Sequence, residues 1–105
     1  MANNEQLGYI KQGVHVWNRW RDENPDITPE LSEADLRGAK LQKANLKGAS
    51  LIEAKLQFAN LTGADLEGAN LKKAKLQETN LQSANLRKAN LKSANLLESN
   101  MQNAD

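Results

Sequence analysis

The sequence predicts an all-β solenoid preceded by an N-terminal α-helical cap. The composition changes near Leu31, since both tryptophans and both prolines precede it and Phe58 is the only aromatic residue after it. From Leu31 onward an apolar residue recurs at every fifth position, and from Leu36 onward a small residue stands two positions before each of them. We therefore divide the chain into a cap and linker, residues 1–30, and a repeat domain, residues 31–105.

The cap has the pattern of one amphipathic helix over about residues 5–21. Asn3 or Asn4 is suited to the N-cap position, and the Asn24-Pro25 pair stops the helix, since the residue before a proline avoids helical geometry. We expect the two tryptophans to pack within the cap rather than to bind a ligand. The apolar residues at helical spacing are Leu7, Ile10, Val14, Trp17 and Trp20.

A repeat of five residues fits neither a straight helix nor a flat strand. In an α-helix, successive leucines would be rotated by about 140° and would form no single stripe. In a flat strand, side chains alternate with period two, so successive leucines would point to opposite faces. The backbone must therefore turn in every pentad and wind into a coil whose turns bury their leucines by stacking.

The apolar residue of each pentad is the predicted core of the solenoid, and the small residue leaves room for it. We expect a Leu→Ala change at the centre to cost about 2 to 5 kcal/mol. The predicted core comprises Leu31 with Leu36, Leu41, Leu46, Leu51, Leu56, Leu61, Leu66, Leu71, Leu76, Leu81, Leu86, Leu91, Leu96 and Met101.

Two further positions of the pentad have turn-forming residues. Asn or Asp precedes most of the leucines and can bond to nearby backbone. Glycine stands two residues after four of the leucines, where the coil must turn a corner: Gly38, Gly48, Gly63 and Gly68.

Segments such as residues 44–48 (ANLKG), 64–68 (ADLEG) and 84–88 (ANLRK) resemble the A(D/N)LXX unit of the pentapeptide-repeat family. The resemblance covers roughly residues 31–105. It implies a right-handed quadrilateral β-helix with four pentads to a coil of 20 residues, hence just under four coils. The WNRWR segment, residues 17–21, with the prolines that follow it, resembles leaders of family members from photosynthetic bacteria.

The amino-acid composition excludes several kinds of catalytic and metal site. The chain has no cysteine, one histidine and 14 basic against 13 acidic side chains, so disulfides, thiolate nucleophiles and zinc fingers are excluded. His15 has no carboxylate at helical spacing, and no serine can be paired with it as a nucleophile. We predict no catalytic residue, no cofactor site and no metal site, and so no enzyme and no small-molecule substrate.

The sequence also predicts the cellular location of the protein and whether it binds membranes or nucleic acids. No apolar run approaches the roughly 20 residues that span a bilayer, and the first residues lack the pattern of a signal peptide. We expect a soluble cytoplasmic protein that binds neither membrane nor nucleic acid, because charges of both signs are interspersed and no aromatic residues interleave with the lysines of the repeat.

The function predicted is that of a non-enzymatic structural or protein-interaction module. The alternative is a DNA-mimicking protein that binds gyrase, as some proteins of the resembled family do. Residues 31–105 include eleven basic and eight acidic side chains, a net charge of +3, which is the wrong sign for imitating a polyanion. The charge therefore favours the interaction module.

Three apolar residues occupy outward positions of the repeat and are candidate interaction residues: Phe58, Ile52 and Leu97. Phe58 is the strongest of them, because it is an aromatic residue at a corner position. The last coil has no helix comparable to the cap, so we also expect end-to-end pairing of two copies through Leu86, Leu91, Leu96 and Met101.

Overall fold

The computed structural model describes all 105 residues and contains two short helices followed by a stack of coils. Helix α1 spans Asn4–Lys11 and helix α2 spans Val14–Glu23. Asn3 is the N-cap of α1, since its side-chain oxygen accepts a hydrogen bond from the Gln6 amide at 3.1 Å. Neither helix has the length and apolar character needed to cross a bilayer.

The prediction of one continuous helix over residues 5–21 is wrong, because the chain breaks at Gln12 and Gly13. Gly13 has a φ of 119°, which L side chains rarely adopt and which no helix contains. The predicted apolar residues are thus divided between two helices, and Leu7 and Val14 are only partly buried. Ile10, Trp17 and Trp20 are buried.

Aromatic packing joins the two helices. The Trp20 ring lies 5.5 Å from the Tyr9 ring and 5.2 Å from the Trp17 ring, measured between centroids. The two tryptophans therefore pack against each other, and Trp17 is completely buried.

The repeat domain is a stack of coils held by parallel backbone bridges between residues that are 20 apart. Eleven such bridges run from Glu30–Ser50 to Asn80–Asn100, each one residue long. Bridged positions recur four times per coil, which gives the coil four walls. We name each wall by its first bridged residue: the Glu30, Asp35, Lys40 and Asn45 walls.

Every corner between walls is a turn with the same geometry. Within each pentad the amide of the small residue donates to the carbonyl of the preceding leucine, as Ala64 does to Leu61 at 3.0 Å. The residue two after each leucine has a positive φ, as the third residue of a type II turn does. Eleven of these corner residues are not glycine, and the other four are the predicted corner glycines, Gly38, Gly48, Gly63 and Gly68.

The Asn and Asp residues before the leucines stabilise these turns as the sequence predicts. The side-chain oxygen of each accepts a hydrogen bond from the amide two residues later, as Asn80 does from Gln82 at 3.0 Å. The ten residues that make this contact are Asp35, Asn45, Asn60, Asp65, Asn70, Asn80, Asn85, Asn90, Asn95 and Asn100.

The core runs along the axis of the coils and contains the leucines and the small residues. The leucines from Leu31 to Leu86 are all buried, most of them completely. Thr79 replaces alanine at one small position, and its hydroxyl donates to the Leu56 carbonyl at 2.8 Å. In the last coil Leu91 and Leu96 are partly buried and Met101 is 38% exposed, because no further coil is stacked on them.

Candidate interaction surfaces

Side chains of α2 cover the edge of the Asn45 wall. The Asn45 carbonyl accepts hydrogen bonds from the Trp17 indole at 2.8 Å and from Arg21 Nε at 3.1 Å. The Asn45 amide donates to Asn18 Oδ1 at 2.8 Å, and Arg21 Nη2 donates to the Lys47 carbonyl at 2.7 Å. In later coils the equivalent backbone groups pair with the preceding coil. Helix α2 therefore takes the place of a missing coil on this wall.

Helix α1 and its N-cap cover the Glu30 wall in the same way. The Asn3 amide donates to the Glu30 carbonyl at 2.9 Å, and Gln6 Oε1 accepts from the Glu30 amide at 2.6 Å. Sequence reasoning identified the cap helix but missed these polar contacts, although Asn18 and Arg21 lie in the segment that resembles family leaders.

Phe58 is the unusual residue of the repeat surface. Its side chain is 63% exposed, and its φ of 64° is in the left-handed region that a bulky residue avoids. It is the only apolar residue among the corner residues, which are otherwise glycine, serine, asparagine or charged. One coil below, the same corner is Gly38, and no heavy atom would lie within 4 Å of a Cβ added there.

The other two candidate residues occupy a different position of the corner turn from Phe58. Leu97 is 65% exposed in the last coil, whereas Ile52 is partly buried. Both follow a leucine of the core directly, so each is the second residue of a corner turn. Leu97 lies in the same column of corner turns as Phe58, two coils above it, because the Phe58 amide donates to the Gln77 carbonyl and the Glu78 amide donates to the Leu97 carbonyl. Ile52 lies at the neighbouring corner, between the Glu30 and Asp35 walls.

Charged side chains on the walls are largely mixed in sign. Lys47 and Glu67 form an ion pair at 3.3 Å, and Asp35 and Arg37 form one at 2.7 Å. The hydrogen bonds from Arg37 hold the pKa of the Asp35 carboxyl well below its usual range. A shallow depression of the surface is lined by two glutamates and three lysines: Glu33, Glu53, Lys55, Lys73 and Lys75.

The structure shows no metal site and leaves the single histidine on the surface. His15 is exposed on α2. No group of three or more histidine, aspartate or glutamate side chains is arranged to hold a metal ion. The apolar residues of the last coil share its open end, but pairing of two copies there stays a prediction.

A family model described as pentapeptide repeats matches residues 30–68 and 69–105. No curated protein matches the chain. Similar solved structures include HetL, a pentapeptide repeat protein involved in heterocyst differentiation regulation from the cyanobacterium Nostoc sp. strain PCC 7120, at 41% identity with a TM-score of 0.70. The match covers 72% of this chain and 35% of HetL.

Two further solved structures are similar over nearly the same share of the chain. Rfr23 from the cyanobacterium Cyanothece 51142 is 39% identical with a TM-score of 0.70, over 71% of this chain and 52% of Rfr23. A pentapeptide repeat protein from the thylakoid lumen of Arabidopsis thaliana is 33% identical with a TM-score of 0.71, again over 71% and 52%. The chain thus matches about half or less of the length of these relatives.

Proposed function

Because the chain belongs to the pentapeptide-repeat family, we propose that it is a non-enzymatic protein-interaction module whose partner contacts the corner at Phe58. The observation that carries the proposal is the exposed ring of Phe58 at a corner position where every other residue is glycine, polar or charged. A left-handed backbone costs a bulky residue about 1 to 2 kcal/mol relative to glycine, a cost that Phe58 shares with the ten other corner residues that are not glycine. With 63% of its surface exposed, the ring recovers little of that cost by packing. A partner protein that buries the ring would recover it.

The surroundings of Phe58 suit a protein contact. An exposed aromatic side chain is the kind of residue that dominates the binding energy of protein interfaces. The flanking corner one coil below is Gly38, whose missing side chain leaves space beside the ring. The coils are held by a regular backbone ladder, so the ring is presented on a rigid support.

A protein partner fits the charge of the repeat better than imitation of DNA does. The net charge of +3 over residues 31–105 would repel the basic surface that binds a polyanion. The wall charges are also paired locally, as Lys47 is with Glu67. We therefore favour the interaction module over the gyrase-binding alternative.

We also infer that the coils form a right-handed solenoid. Each coil connects two parallel bridged segments of the same wall, and such crossover connections are right-handed in nearly all proteins. A right-handed quadrilateral β-helix is the expectation that the family resemblance gave. A crystal structure of this chain with left-handed coils would refute it.

Affinity capture tests the proposed function. The intact chain, a Phe58→Ala variant and an Ile27→Ala variant are immobilised and exposed to lysate of the source organism. Ile27→Ala is the matched control, because it removes an exposed apolar side chain beside Lys47 and Gly48, at the corner opposite Phe58. We expect one protein to be retained by the intact chain and by Ile27→Ala but lost with Phe58→Ala. Equal retention by all three variants would contradict the role of Phe58.

We propose the cytoplasm as the site of action. The Arabidopsis relative comes from the thylakoid lumen, so an experiment has to distinguish the cytoplasm from such a lumen as the location of this chain. Fractionation of cells that express the tagged chain should recover it with cytoplasmic markers. Recovery from a lumenal or other enclosed compartment would overturn this assignment.

A further inference from the structure

The cap covers only two of the four walls of the first coil. On the Asp35 and Lys40 walls, the amides of Asp35 and Lys40 donate to no group of the chain. The carbonyls of Asp35, Arg37 and Lys40 likewise accept no hydrogen bond from the chain. In the later coils the equivalent groups are paired, as the Lys55 amide is with the Ala34 carbonyl at 2.9 Å. Two adjacent walls therefore present a free backbone edge.

This edge lines a cavity of about 380 Å³ between the first coil and the turn that joins α1 to α2. Ile10, Leu36 and Leu41 contribute apolar, buried side chains to its lining. Gly13, the residue that breaks the two helices apart, also lines it. The volume lies within the range of ligand-binding pockets in proteins.

The charge of the cavity is positive. Its lining includes four charged side chains, and two of them, Asp35 and Arg37, neutralise each other in an ion pair at 2.7 Å. The other two, Lys11 and Lys40, have no acidic partner within 4 Å. A ligand of this cavity would therefore gain from negative charge near the two lysines.

The covered walls indicate which chemistry fits such an edge. On the Glu30 and Asn45 walls, amide groups of the cap meet the backbone edge: the backbone amide of Asn3 and the side-chain amides of Gln6 and Asn18. The free edge presents the same donors and acceptors. A peptide backbone is the ligand that offers amide groups in series, with the spacing of a neighbouring strand. A whole coil of a second copy cannot stack here, because α2 already occupies the Asn45 wall.

We propose that the cavity binds an extended, acidic peptide segment of a partner protein, which adds to the first coil as a preceding coil would. Backbone hydrogen bonds to Asp35 and Lys40 hold the segment. An apolar side chain of the bound segment packs toward Leu36 and Leu41, and acidic side chains of the segment face Lys11 and Lys40. This proposal rests on the proposed interaction function. It adds a second contact between the chain and its partner protein, one coil below the corner at Phe58.

A titration followed by nuclear magnetic resonance tests this site with defined probes. The probe is the acetylated and amidated pentapeptide Ala-Asp-Leu-Glu-Gly, which has the sequence of residues 64–68. We expect its addition to shift the amide resonances of Asp35 and Lys40 and to slow their hydrogen exchange, with a dissociation constant on the order of 1 mM. The same peptide with Lys in place of both acidic residues should bind at least about fivefold more weakly.

Two protein variants and one modified peptide complete the test. Lys40→Glu should weaken binding of the acidic peptide about fivefold or more. Lys92→Glu is the matched control, since Lys92 is also exposed and unpaired but lies in the last coil, and it should leave binding unchanged. A peptide that is N-methylated along its backbone should not bind, because its donors are blocked.

The outcomes separate this proposal from the proposed function. If the acidic peptide causes no shift at Asp35 and Lys40 at about ten times the expected dissociation constant, the proposal is overturned. Equal binding of the N-methylated peptide, or of Lys40→Glu, overturns it as well. Neither result affects the capture experiment at Phe58, which uses different variants and a different readout.

Discussion

Replacing Asn18 by alanine perturbs the contact through which α2 stands in for a missing coil. The side-chain amide of Asn18 makes two hydrogen bonds to the first coil. Nδ2 donates to the Lys43 carbonyl at 3.1 Å, and Oδ1 accepts from the Asn45 amide at 2.8 Å. The alanine variant loses both bonds, and the Asn45 amide is left without a partner in the chain.

The size of the effect follows from two opposing contributions. Each hydrogen bond contributes about 1 kcal/mol net, so losing both costs about 2 kcal/mol. Alanine has a higher helix propensity than asparagine by about 0.6 kcal/mol, which offsets part of that loss. We expect the free energy of unfolding to fall by about 1 to 2 kcal/mol and the melting temperature to fall by roughly 5 to 10 °C.

Denaturant unfolding and amide hydrogen exchange measure this effect, with His15→Ala as the control. His15 is exposed on the same helix and makes no hydrogen bond to the coil, so its replacement should change stability by at most about 0.5 kcal/mol. The exchange of the Asn45 amide should accelerate in Asn18→Ala and stay unchanged in His15→Ala. If the two variants behave alike in both measurements, the reasoning that α2 replaces a coil is wrong.

Three further predictions follow from the same structure. Leu66→Ala should lower the free energy of unfolding by about 2 to 5 kcal/mol in denaturant melts, because Leu66 is completely buried, and an effect below about 1 kcal/mol would contradict the core assignment. Because Arg37 lowers the pKa of the Asp35 carboxyl, Asp35 is ionised at any pH above the ordinary aspartate pKa of about 3.9. The ion pair with Arg37 is lost only as the pH falls well below that value. In a carboxyl resonance titration Asp35 should still be ionised at a pH of about 3, and Arg37→Gln should raise its midpoint toward the ordinary value; a wild-type midpoint near 4 would refute the contact. If two copies pair end to end, Leu96→Lys should convert a dimer to a monomer in sedimentation, whereas a strict monomer that Leu96→Lys does not change would exclude such pairing.

The five-residue period predicted the repeat domain closely because each position of the pentad has one physical task. Leucine fills the axis, as the complete burial of Leu46 and Leu66 illustrates. The residue two after it turns the corner with a positive φ, which glycine favours at Gly48 and Gly68. A local pattern was sufficient here, since every coil repeats the same contacts.

The cap was predicted less completely because its contacts are not local. Helical spacing continues through Gly13, so the apolar pattern gave no sign of the break, although a glycine near a helix end is itself a signal for one. The bonds from Trp17, Asn18 and Arg21 join residues 24 to 28 positions apart in the chain. No periodicity links such positions. The free edge at Asp35 and Lys40 was missed for the same reason.

Photo-crosslinking from position 58 tests the proposed function most directly. A photoreactive phenylalanine analogue is introduced in place of Phe58 in cells of the source organism, and in parallel in place of Ile27, at the opposite corner, as the control. We expect one defined protein to be crosslinked from position 58 and not from position 27. Crosslinking to no protein, or to the same set of proteins from both positions, would contradict the claim that the Phe58 corner is the interaction surface.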